Sequence, residues 1–131
     1  MSFAHKTLTK KITAVALLAV VGLMLTSCLE SVFNQPPNAR LAVVEGVPYG
    51  PAPQTFVFDI SGSWDPDGEI ASFTLDFGDG SDPLDGTDPS ETISHLYEHA
   101  GTYIIKLTVI DTYGKSDAIK FMLGLSPPAD E

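Results

Sequence analysis

Two histidines and a glutamate in His95-Leu96-Tyr97-Glu98-His99 stand at the spacing with which one face of an α-helix holds a zinc ion and a glutamate activates its water. Asp76-Phe77-Gly78 has the order of a triplet that holds magnesium in phosphoryl transfer. Asp65 and Asp67 flank Pro66, and Asp76, Asp79, Asp82, Asp85, Asp88 and Glu91 then recur at every third position. Each chemistry demands something of the backbone. Zinc needs a helix, because residues four apart on a strand are separated by about 13 Å. Calcium needs six to eight oxygens, commonly from closely spaced aspartates and from carbonyls in glycine-rich turns.

The elements around these residues are strands. Gly101 to Asp111 alternates with Tyr103, Ile105, Leu107 and Val109 on one face, the period of a half-buried strand. Arg40 to Glu45, Phe56 to Ile60, Ser72 to Phe77, Glu91 to Tyr97 and a last segment carrying Ile119, Phe121, Leu123 and Leu125 read the same way. Turns rich in Gly, Asp and Pro separate them, and no helical period intervenes. The expected core is Phe58, Phe73, Leu75, Phe77, Tyr103, Leu107, Val109 and Phe121. Ile104 and Ile110 then face outward, as a candidate partner surface. On a strand and its following turn, His95 pins a strand end, Tyr97 packs, and Glu98 and His99 lie in the turn. The Asp76 triplet likewise becomes a turn, since the chain has no room for a phosphotransferase fold. The acids keep two readings. In one, Asp65, Asp67, Asp76 and Asp79 converge on a calcium ion at the sandwich end; in the other, they close Asx turns and solvate a long loop. An EF-hand loop is excluded, because Ile70 stands where glycine is required after Asp65.

The amino-terminal region has a different character. Lys6, Lys10 and Lys11 precede an apolar run from Ile12 to Leu25, closed by Leu25-Thr26-Ser27-Cys28. The run is short of the ~20 residues of a membrane span and has the layout of an export signal. Its end resembles the lipobox of bacterial lipoproteins. That resemblance implies a signal peptide over residues 1–27, lipidation of Cys28 with acylation of the new amino terminus, a tether over 28–38, and attachment to the cell envelope. Leu29, rather than Asp, after the cysteine leans towards the outer membrane where the host has one. A single Cys excludes an intrachain disulfide framework.

Loss of residues 1–27 leaves four cations against seventeen acids, a net charge of −13 compared with −10 for the whole chain. Nucleic acid is an unsuitable partner for such a surface, because its binding rests on cationic contacts to phosphate.

A family resemblance covers Asn38 to Leu125. Phe58-Asp59, Ser61-Gly62-Ser63, Asp65-Pro66-Asp67-Gly68, Asp76-Phe77-Gly78-Asp79-Gly80, His95, Tyr97, Gly101-Thr102-Tyr103 and Asp111 follow one another as in the PKD (polycystic kidney disease) domain. The resemblance implies an all-β, immunoglobulin-like two-sheet sandwich over 39–125, followed by a polar tail at 126–131. Gly78, Gly80, Tyr97, Gly101, Tyr103 and Asp111 take structural roles in it. The chain departs from the family at Leu75, where the family often has Trp. Its only Trp is Trp64 in the preceding turn, either an apolar cap over the sandwich end, the commoner fate of a large aromatic, or an exposed aromatic. The implied function is a noncatalytic binding or spacer module at the cell surface that contacts protein or polysaccharide. The alternative is an accessory subunit of a surface polysaccharide-binding or protease complex. A small hydrolase is disfavoured, because the histidines are only His5, His95 and His99 and no nucleophile stands with a base.

Overall fold

A computed structural model describes residues 15–22 and 32–129. The alternating segments become seven strands: β1 (Ala42–Glu45), β2 (Gln54–Asp59), β3 (Ile70–Asp76), β4 (Leu84–Gly86), β5 (Thr92–Tyr97), β6 (Gly101–Asp111) and β7 (Ser116–Leu125). One sheet has the order β1-β2-β5 and the other β4-β3-β6-β7, with every pairing antiparallel. This is an all-β two-sheet sandwich.

Side chains alternate across a strand, so each sheet turns one apolar face to the other. Phe56 and Phe58 of β2 and Ile93 and Tyr97 of β5 supply one inner face. Phe73 and Leu75 of β3, Ile105, Leu107 and Val109 of β6, and Leu123 and Leu125 of β7 supply the other. Of the expected core, Phe58, Phe73, Leu75, Phe77, Leu107 and Val109 are buried, while Tyr103 and Phe121 are half-buried against it. All buried core residues lie between Ala39 and Leu125, within a compact unit spanning Gln35–Glu131 that therefore carries its own core.

Two expectations are corrected here. The acidic stretch after Gly80 is not a plain loop, because Leu84–Gly86 pairs with β3 and Asp85 Oδ1 accepts a hydrogen bond from Thr74 Oγ1 at 2.6 Å. A strand of three residues is too short to display an alternation. Trp64 is not a cap but is 51% exposed. Its amide donates to the Asn38 carbonyl at 3.1 Å and its carbonyl accepts from the Asn38 amide at 2.7 Å, so backbone pairing holds it at the surface. Ala39, next to Asn38 in the chain, and Ile60, four residues before Trp64, are buried instead.

Residues 15–22 are helical and belong to a separate unit, Met1–Asn34. Among the described residues no helix is long and apolar enough to cross a membrane. Cys28, the expected lipidation site, lies outside the described residues.

Candidate functional site

Aspartates build most of the turns in this domain. Asp59, Asp65, Asp76, Asp79, Asp88 and Asp111 each accept a hydrogen bond through Oδ1 from the amide two residues on, at 2.8–3.1 Å. Each of these carboxylates mimics a backbone turn and so closes its own loop. Asp111 does more: it is 2% exposed, and the same Oδ1 also accepts from the Lys115 amide at 2.9 Å, closing the β6–β7 hairpin.

The convergence of Asp65, Asp67, Asp76 and Asp79 on calcium is a correction. Asp65 and Asp67 precede β3 and Asp76 and Asp79 follow from its end, so the two pairs stand at opposite ends of a seven-residue strand, about 20 Å apart. Two turns separated by a single strand cannot share an end of a sandwich. Asp67 Oδ2 is instead taken by the Gln35 amide at 2.9 Å. Among the described residues no three His, Cys, Asp or Glu side chains are grouped to hold a metal ion.

The residues of the glycine-aspartate turn come together with β5 at one end of the sandwich. His95 Nε2 lies 2.7 Å from Asp79 Oδ2, with the two side chains 18% and 19% exposed. The imidazole is stacked on Phe77 at 3.8 Å between ring centroids and 3° between planes, and meets the Tyr97 ring edge-on at 4.8 Å. Tyr97 in turn donates its hydroxyl to the Phe77 carbonyl at 3.0 Å, and burial, followed by the Asp79 charge, pushes its phenol pKa upward. Ser81 gives Asp79 Oδ1 both its amide at 3.0 Å and its hydroxyl at 2.6 Å. Burial opposes ionisation of Asp79, but these donors and His95 outweigh it and bring the carboxyl down to about 2.

That shift has a sign. A carboxyl held below its usual value stabilises the fold above the unfolded pKa of about 3.9 and loses the contribution as pH falls through about 2. Because the surrounding loop is open to solvent, the contribution is on the order of 1 kcal/mol. Asp79→Asn is thus expected to lower urea-unfolding stability by about that much near neutral pH and by almost nothing at about pH 2. An equal loss at both pH values is inconsistent with an ionised Asp79 as the source.

Beside the pair opens a shallow cleft of about 500 Å³ lined by Asp79, Gly80, Ser81, His95, Leu96, Glu98, His99 and Tyr103. The backbone turns after Tyr97, so His95 and His99 line the same cleft although they occupy a strand and a turn. The His99 carbonyl accepts the Tyr103 hydroxyl at 2.6 Å, which ties this turn to β6. Sequence spacing indicated that His95 pins a strand end but not its partner, since Asp79 is sixteen residues away. The cleft offers carboxylates, imidazoles, a hydroxyl and the Tyr103 ring. That mixture suits contact with a polyol or a peptide.

The model of the PKD domain family matches residues 34–122. Among solved structures, one of carbohydrate-binding modules from the β-sandwich super family is 35% identical with a TM-score of 0.60; the match covers 72% of this chain and 36% of that one. The PKD1 domain of Vibrio anguillarum Epp is 26% identical with a TM-score of 0.56, over 72% of this chain and 99% of that one. The PKD1 domain of the Vibrio cholerae metalloprotease PrtV is 27% identical with a TM-score of 0.55, over 70% and 99% respectively. With the family model matched across both sheets, and with Gly78, Asp79, His95 and Tyr97 interlocked at one end of the sandwich, this chain belongs to the PKD domain family.

Proposed function

We propose that this protein is a lipid-anchored cell-surface module that binds polysaccharide without catalysing its cleavage, with the cleft between the Asp79–His95 pair and the Glu98–His99 turn as the contact site. The observation that carries the reading is the 35% identity to a structure of carbohydrate-binding modules, together with a cleft of mixed donors and acceptors at one end of this sandwich. Sugar hydroxyls both donate and accept, so neighbouring carboxylate, imidazole and phenol groups recognise them, and an aromatic face covers a ring's apolar side. Anchoring rests on the Leu25-Thr26-Ser27-Cys28 string at the end of the apolar run. A second reading, a spacer or accessory subunit beside a surface peptidase, is favoured by the likeness to the PKD1 domain of a metalloprotease.

One preparation tests both halves. Cells given labelled fatty acid are expected to yield labelled, membrane-retained wild-type protein that is retarded in native gels containing its polysaccharide. Cys28→Ser is expected to lose label and retention while keeping polysaccharide binding, and Glu98→Ala with His99→Ala to do the reverse, weakening binding about tenfold. Unlabelled soluble wild type would remove the anchor. Absence of retardation across neutral and anionic polysaccharides would leave the spacer reading in place of the binding one. Loss of binding on Trp64→Ala alone would move the contact to the opposite end of the sandwich.

A further inference from the structure

The outer face of the four-stranded sheet carries side chains that the core does not use, and the strand register identifies them. Residues directly opposite across antiparallel strands share a face. Asp76 stands opposite Lys106 and Lys106 opposite Lys120; Asp85 stands opposite Thr74 and Thr74 opposite Thr108; Ile104 stands opposite Met122. Their neighbours Phe73, Leu75, Leu107 and Leu123 are buried inward, so all of these turn outward. The face is therefore divided, with acids on its β4–β3 half and lysines on its β6–β7 half. Ile104 and Met122 lie beside the lysines, 55% and 61% exposed.

Lys106 and Lys120 as direct cross-strand partners are unfavourable, since like charges placed opposite one another repel. Neither forms an ion pair with a carboxylate among the described residues. In a chain of net charge −10 such a pairing is unexpected on grounds of solubility alone, because acids are the abundant charge.

We infer that this face pairs with the same face of a second copy of the chain. A two-fold axis parallel to the strands and between β3 and β6 carries β3 of one copy over β6 of the other, and β4 over β7. Asp76 then meets Lys106 at the same level. Asp85 comes within one outward position of Lys120, about 7 Å along the strand and inside the reach of a long side chain. Ile104 and Met122 lie two residues beyond the Asp76–Lys106 level, so the same operation sets each such pair over the turn that follows β3 in the other copy. The contact is isologous and closes at two copies, so it does not propagate. Strands of 3, 7, 11 and 10 residues, about 4.8 Å apart, present roughly 500 Å² per copy, short of the ~800 Å² of a standard interface. The dimer is accordingly weak and reversible, and its charge pairs make it salt-sensitive.

Sedimentation velocity on the Gln35–Glu131 unit, which carries its own core, tests the inference. A monomer–dimer equilibrium is expected between ~10 μM and ~1 mM protein at low salt, with the dissociation constant rising several-fold as NaCl goes from about 50 to about 500 mM. Lys106→Glu with Lys120→Glu is expected to be monomeric, and Asp85→Lys at least fivefold weaker in self-association than wild type. Mixed in equal amounts, the two variants are expected to form a heterodimer tighter than either variant's own association. All substituted side chains are exposed, and circular dichroism checks that each variant keeps its strands. A wild-type monomer throughout overturns the inference. So does a wild-type dimer that both variants retain unchanged, since it must use another face.

Discussion

Phe58→Ala is expected to cost the domain about 3 to 5 kcal/mol, the range for deletion of a large aromatic from a closed core. Phe58 is fully buried on β2, the central strand of its sheet, and is paired with Ile93 of β5. Its ring lies 6.4 Å from Phe56 in a stacked arrangement and 6.2 Å from Phe77 in a tilted one. Truncation removes packing on both sides, and Phe77 cannot move into the space without abandoning its 3.8 Å stack on His95. Urea unfolding of the Gln35–Glu131 unit measures the loss. Leu96→Ala, on β5 but 49% exposed, provides the comparison and is expected to change stability by less than about 0.5 kcal/mol. Similar losses for the two would mean that the inner faces are not closely packed.

How far the sequence discloses this molecule differs from one element to the next. On β6 the buried positions Ile105, Leu107 and Val109 are strictly alternate, so the pattern and the structure carry the same information. On β4 nothing alternates, and Leu84 is 40% exposed; the strand exists because β3 offers it an edge. The turn aspartates were legible because each bonds an amide two residues away, a local preference that composition reveals. The Asp79–His95 pair was not, because its geometry requires β3, β5 and the intervening strand to be assembled first. The opposition of Lys106 to Lys120 is of the same kind. A one-residue change in the β6–β7 hairpin would place Lys106 against an inward position, and turn geometry rather than hydrophobic pattern sets that register. Trp64 shows the limit of residue-type averages: backbone pairing with Asn38 outweighs the tendency of a large aromatic to be covered.

Gly78→Ala is expected to destabilise the domain by about 2 to 5 kcal/mol, reaching the range for loss of a core aromatic although only one methyl group is added. Two costs add at this position. Gly78 has φ of +73°, in the left-handed region, where a side chain costs roughly 1–2 kcal/mol. In addition, a Cβ there would stand 2.4 Å from the Ile104 carbonyl oxygen and 2.8 Å from its carbonyl carbon and amide nitrogen. Those atoms belong to the backbone of β6, where Ile104 is paired with Met122 of β7, and cannot give way as a flexible side chain does. Overpacking of this kind typically costs a further 1–3 kcal/mol. The turn would have to lift from β6, and because it carries Asp79, the pair with His95 would be pulled apart with it. Gly80 separates the two costs: its φ is +87°, yet a Cβ there meets nothing within 4 Å. Gly80→Ala is therefore expected to lose only the backbone share, roughly 1–2 kcal/mol in the same urea titration. Equal losses at the two glycines would show that positive φ alone, and not the close approach to β6, is why glycine is needed at position 78.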